Sequence, residues 1–271
     1  MIPLFDYNLR RANTKRPYVV WSIIIACVIV FIYQITLSPD NDAIFVAKYG
    51  MTPGIIAGWE LPAGYPYPAI PYLLTLVTSL FLHGDFFHIL FNMLYLWVFG
   101  DNIENAYGWL GFLVFYITGG VIANLSHMAF SLNPENAFTP TIGASGTIAA
   151  VMGSYLALFP TSRIRTLVVF FFITFIDVSA YWWLLIWFGV QFFNLLGGDG
   201  GVAWWAHIGG FIYGYIVGFA YLKLFRPYAP QPWGPVITQM KKQTRFFGRR
   251  PSQDDNERED GRYDDQDIWR R

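Results

Sequence analysis

Three short stretches hold polar residues of the kinds that do nucleophilic and acid–base chemistry. Ser145 stands in TIGASGTIAAVMGS (141–154), where a polar loop gives way to an apolar run. His83, His88 and Asn92 share FLHGDFFHILFNMLYLW, and His207 lies in VAWWAHIGGFIYGYIVGF. A serine at a helix start is by itself an ordinary cap or packing residue. Beside a histidine it becomes a nucleophile, because the imidazole can take the hydroxyl proton and later hand it to a leaving amine. Acyl transfer also needs donors for the developing oxyanion. The Asn92 amide, the His88 ring and the first backbone N–H groups of a helix beginning at Ser145 are the candidates. Gly143 and Ala144 leave room for a carbonyl to approach. His88 and Asn92, four apart, share one helical face. His83 falls off that face and is expected at the helix entrance, hydrogen-bonding the incoming loop.

The elements that must position these groups follow from composition. Of 271 residues, 55% are hydrophobic and only 13% charged, against about 25% charged in a typical soluble domain. Mean hydropathy is +0.37. The apolar residues gather into six runs near 18–37, 83–101, 108–129, 145–160, 178–196 and 203–225, most of them close to the roughly 20 residues a bilayer crossing needs. The expected class is an all-α polytopic membrane protein. TLVVFFFITFI, 166–176, is too short to cross and is expected to be interfacial or to extend the fifth helix. Residues 38–82, with LPAGYPYPAIPYLL, are expected to form an irregular aromatic segment at the membrane surface.

Charge sets the orientation. Arg10, Arg11, Lys15, Arg16, Arg163, Arg165, Lys223 and Arg226 all fall on one side of a six-span chain, which is therefore assigned as cytoplasmic. The expected organisation is a cytoplasmic N-terminal segment (1–17), a six-helix membrane core (18–226) and a disordered, mixed-charge cytoplasmic tail (227–271). The first run is too long for a cleavable signal core. A formal net charge of zero gives no reason to expect a nucleic-acid partner, and the single cysteine, Cys27, excludes an intrachain disulfide.

In that topology runs two, four and six start at the outer face, so His88, Asn92, Ser145 and His207 lie at similar depth. Polar groups inside spans are costly and need a reason. Run four presents Gly146, Ala149, Ala150 and Gly153, and run six presents Gly210, Gly214 and Gly218. Small residues at four-residue spacing let helices approach closely in lipid, and that approach would carry Ser145 toward His207. No acidic partner is evident near His207, so a Ser–His pair fits better than a triad. His127 is expected to be interfacial, and Trp182, Trp183 and Trp187 to face lipid or the interface. A metal carrier would favour histidine pairs four apart with carboxylates, which the sequence lacks.

These motifs resemble those of the rhomboid intramembrane serine proteases. GASG at 143–146 is similar to the family's G-x-S-G, His83-x4-His88-x3-Asn92 to its H-x4-H-x3-N, and AHIGGFIYG at 206–214 to its sixth-helix motif. FGDNIENAYGWLGFLVFYITGG at 99–120 resembles a recurrent bacterial rhomboid stretch. The resemblance implies a six-transmembrane-helix rhomboid-like bundle. It implies Ser145 as nucleophile, His207 as base, and His88 with Asn92 at the oxyanion; from the residue pattern itself, His83, Gly143, Gly146, Gly210 and Gly214 are expected in structural support. It further implies cleavage of transmembrane protein substrates within the lipid bilayer near its outer face, without metal or cofactor, in a bacterial plasma membrane. The oligomeric state is left open. Some members carry an aromatic residue four positions after the serine that packs on the histidine. Here that position is Ala149, so another group must orient His207, with Trp204 and Trp205 as candidates. The first-loop Trp-Arg pair of many members is also absent, since Glu60 follows Trp59. A non-catalytic relative would be expected to lack the serine or the histidine, and this chain has both.

Overall fold

Long apolar stretches with few charges satisfy their backbone only within themselves, and in lipid that means helices. The structure, a computed structural model, describes residues 1–8, 16–169, 173–197 and 202–225. Among them are eight α-helices: α1 (Tyr18–Thr36), α2 (Pro39–Tyr49), α3 (Pro53–Ile56), α4 (Thr75–Thr78), α5 (Phe86–Ser131), α6 (Ser145–Leu158), α7 (Ala180–Leu196) and α8 (Trp204–Leu224). By length and composition, α1 and α5 can each cross a membrane, while α6 and α7 are apolar but shorter. The expected tail at 227–271, and Arg10, Arg11, Lys15 and Arg226, lie outside the described residues.

Helix α5 fuses the second and third apolar runs. Its 46 residues are interrupted at Gly108, whose φ of 73° and ψ of 164° separate two helical stretches. Asp85 caps its start, with Oδ1 accepting from the His88 N–H at 2.9 Å. Helix α1 begins after Pro17 with no side-chain cap of its own. The buried Glu104 of α5 supplies one instead, its two carboxylate oxygens accepting from the Val19 and Val20 N–H groups at 3.0 and 2.8 Å. Two orphan helix donors and one buried carboxylate are satisfied together.

Helix α6 is the centre of the bundle, with every residue from Gly146 to Leu156 buried. Its contact with α8 is made by glycines, as the spacing predicted. A Cβ on Gly214 would sit 1.8 Å from the Ala150 carbonyl oxygen, and one on Gly210 would sit 2.1 Å from that of Gly146. From the other side, a Cβ on Gly153 would meet the Phe211 carbonyl oxygen at 2.0 Å. No side chain fits at these positions.

The fold is not all-α. Strands β1 (Ile2–Asp6), β2 (Arg163–Val169) and β3 (Ile173–Ser179) form an antiparallel sheet in the order β1-β2-β3. The register runs Ile2↔Leu167 to Asp6↔Ile164 and Arg163↔Ser179 to Val169↔Ile173. The described residues of the segment expected to be interfacial or an extension of α7 are therefore paired strands and not helix, rich in the β-branched and aromatic residues that favour strands. Arg165 and Asp177 pair across it at 3.0 Å. At the end of β1, Asp6 Oδ2 accepts from Asn8 and Asn102 side chains at 3.0 and 2.7 Å, and from the Tyr155 hydroxyl of α6. Burial pushes the Asp6 carboxyl up to about 7.

Residues 38–82 also differ from expectation, because they contain the 11-residue helix α2. Ser38 caps it, Pro39 opens it, Asp40 and Asp42 occupy its first turn and Lys48 its last, the charge order that the helix dipole favours. Beyond it, Met51 and Thr141 exchange backbone hydrogen bonds at 3.0 and 2.7 Å, and the Gly143 N–H donates to the Ser79 carbonyl at 2.9 Å. These bonds hold the loop that delivers Ser145.

Candidate active site

Ser145 is the first residue of α6 and His207 lies one turn into α8. The glycine contacts bring their side chains together, with Ser145 Oγ 2.8 Å from His207 Nε2. The other ring nitrogen, Nδ1, lies 2.8 Å from the Gln191 side-chain oxygen on α7. His207 and Gln191 are both buried.

Of the other predicted residues, His88 and Asn92 line the same cavity of about 560 Å³ as Ser145 and His207, together with Gln191 and Trp187. His88 Nδ1 accepts from the Gly84 N–H at 3.3 Å, so in the neutral ring Nε2 carries the proton. That Nε2 occupies the space beside Gly143, where a Cβ would lie 2.6 Å from it, and Gly143 has φ +114°. Gly143 therefore makes room for the His88 ring, where the sequence suggested room for a carbonyl. Asn92 donates one amide N–H to the His88 carbonyl at 2.9 Å, and its amide nitrogen carries a second.

His83 precedes α5 as expected, but its ring does not hydrogen-bond the incoming loop. Both ring nitrogens are buried without a partner, and the ring packs edge-on against His88 at 5.1 Å. The backbone of His83 is tied to α1 instead, its N–H donating to Gln34 Oε1 at 3.1 Å. His127 sits with its Nδ1 3.1 Å from Ser131 Oγ, four residues on along α5. Of the tryptophans expected to face outward, only Trp182 does. Trp183 is in the core, packed near Phe99 and Tyr95, and Trp187 lies 6.0 Å from the His207 ring. Trp204 packs edge-on against His207 at 5.8 Å, whereas Trp205 stacks on Phe130.

Gln191 is the site residue that sequence reasoning missed. Its signal was available, because a strongly polar amide in an apolar run needs a reason just as the histidines do. Glu104 carries the same signal. Among the described residues, no three His, Cys, Asp or Glu side chains gather to hold a metal ion.

Comparison with known proteins agrees with the arrangement of the motifs. The Rhomboid domain family model matches residues 71–224, more than half of the chain, and the chain belongs to the rhomboid family. It is thus a helical membrane protein of a family that includes proteases. It is 27% identical over 128 residues to Rhomboid protein 1, mitochondrial, of Saccharomyces cerevisiae, covering 44% of this chain and 37% of that protein. It is 33% identical over 149 residues to RHOMBOID-like protein 12, mitochondrial, of Arabidopsis thaliana, covering 50% and 43%. Against Rhomboid protease GluP of Bacillus subtilis it is 33% identical over 88 residues, covering 32% and 16%. The chain therefore spans less than half the length of each of these relatives. Two are mitochondrial by name and one is bacterial, so they do not favour a bacterial plasma membrane for this chain.

Proposed function

We propose that this chain is an intramembrane serine endopeptidase that cleaves transmembrane segments of other proteins. The observation that carries the reading is the 2.8 Å contact between Ser145 Oγ and His207 Nε2. In the proposed reaction Nε2 takes the hydroxyl proton as Ser145 Oγ attacks the scissile carbonyl carbon. The carbonyl oxygen becomes an oxyanion beside the second Asn92 N–H and the His88 Nε2–H, donors already in place before charge develops. As the intermediate collapses, the C–N bond breaks and His207 gives its proton to the leaving amine, leaving an acyl-serine. Water, deprotonated by His207, then attacks the ester, and the proton returns to Ser145 as the acid product leaves.

The reading includes six crossings. These are α1, the two stretches of α5 on either side of Gly108, α6, α7 and α8. A single 46-residue helix would be about 70 Å long, more than twice the roughly 30 Å hydrocarbon core. Ser145 and His207 then lie toward the outer face and the β-sheet on the cytoplasmic side, with a cytoplasmic N-terminal segment (1–17), a membrane core (18–226) and a cytoplasmic tail (227–271). No cofactor is required, since proton transfer and oxyanion stabilisation are both supplied by side chains.

Purified protein in detergent or lipid should cleave a transmembrane model substrate and label with a fluorophosphonate. Ser145→Ala and His207→Ala should each reduce cleavage to background with the thermal melting transition retained. Full activity in Ser145→Ala would overturn the mechanism.

A further inference from the structure

The dyad leaves one question open, namely what holds the His207 ring so that the correct nitrogen faces Ser145. Neutral imidazole has one N–H, and only the bare nitrogen can accept the serine proton. Trp187 and Trp204 pack near the ring, but an indole N–H is only a donor and cannot accept from Nδ1. Ala149 offers no polar atom. Asp85, the carboxylate lining the cavity, is committed to the His88 backbone N–H.

We propose that Gln191 is the positioning residue for His207, fixing both ring orientation and tautomer; the proposal rests on the Ser145–His207 reading above. The Gln191 amide is itself oriented. Its Nε2 donates to the Trp187 carbonyl one turn back along α7, at 2.9 Å. The side-chain oxygen is therefore the atom that faces His207 Nδ1, 2.8 Å away. An amide oxygen has no proton to give, so Nδ1 must be the donor and carry the single N–H. Nε2 is then bare, and at 2.8 Å it accepts from the Ser145 hydroxyl. The chain of donors runs from Ser145 through His207 to Gln191, with each link dictated by the next.

An amide suits this place. Burying a carboxylate costs far more than burying a hydrogen-bonded neutral group, and Gln191 fixes the tautomer without a charge. It also stabilises the imidazolium less than a carboxylate would, and that difference makes the role testable.

The test uses the full chain in detergent micelles with ¹⁵N-histidine labelling, the His207 signals being assigned by their loss in His207→Ala. The wild type should show His207 with its proton on Nδ1; a proton on Nε2 overturns the proposal without recourse to any variant. Gln191→Leu should convert that signal to a mixture of tautomers and lower kcat about 10- to 100-fold with KM nearly unchanged, since a wrong tautomer disables the base without touching substrate contacts. Gln191→Glu restores an acceptor. It should recover part of kcat and move the acid limb of the pH–rate profile to higher pH, because the carboxylate favours protonated His207. Wild-type kcat together with a wild-type Nδ1–H signal in Gln191→Leu would sink the idea. Failure of the protease reading looks different, since Ser145→Ala would then cleave as well as wild type while the tautomer results stood unchanged.

Discussion

Helix α8 packs against α5, α6 and α7, and it meets the last two in opposite ways. Against α6 it presents glycines, and backbone touches backbone, so that a single methyl at Gly214 would fall 1.8 Å from a carbonyl oxygen. Against α7 it presents side chains: Phe211 stacks on Phe188 with centroids 4.6 Å apart, and His207 meets Gln191. In lipid, apolar area gives helices no drive to associate, so closeness of packing decides how firmly they hold. The α6–α8 seam has no adjustable part. The α7–α8 seam can re-form through other rotamers. The proposed nucleophile and base, Ser145 and His207, sit on the first seam and Gln191, proposed to orient the ring, on the second, so in that reading the reactive distance is fixed while the support is separable.

The largest effect should come from Gly214→Ala. Alanine is the better helix former by about 1 kcal/mol, yet the added methyl must force α6 and α8 apart, with a net loss of about 3 kcal/mol or more and no measurable cleavage. Thermal melting in detergent and a substrate assay check both parts. Phe188→Ala should cost about 2 kcal/mol, since it removes the pairs with Phe211 and Phe192 at about 1 kcal/mol each, with the protein folded and cleaving. If it unfolded the protein as thoroughly as Gly214→Ala, the contrast between the seams would fail. The smallest change is expected from Gly189→Ala on α7, where a Cβ would meet nothing within 4 Å. A gain of at most about 1 kcal/mol from helix propensity would sharpen the comparison, because one substitution would then have opposite signs on the two helices.

The α6–α8 seam was legible because its information is local. Gly146, Gly153, Gly210, Gly214 and Gly218 announce close approach by their spacing alone, and Ser145 and His207 follow. The β1–β2 half of the sheet was not, because Ile2–Asp6 pairs with Arg163–Val169 some 160 residues away by register. An apolar run in a membrane chain also reads as helix before strand. Helix α2 is legible in its residues: Ser38, Pro39, Asp40, Asp42 and Lys48 spell a capped helix, although the Pro, Gly and Tyr residues that follow give 38–82 as a whole an irregular signature. Gln191 lay between the two cases. Its polarity marked it, while its partner could be found only by knowing which face of α7 meets α8.

Glu104 has a consequence for the order in which the chain is made. Synthesis is vectorial and domains fold as the chain emerges, so α1 exists well before the group that completes it. Val19 and Val20 precede their acceptor by 85 and 84 residues. Until Glu104 has been translated, the Val19 and Val20 N–H groups lack the carboxylate that accepts from them in the folded chain. Helix α1 is thus written well before the residue that fastens its start.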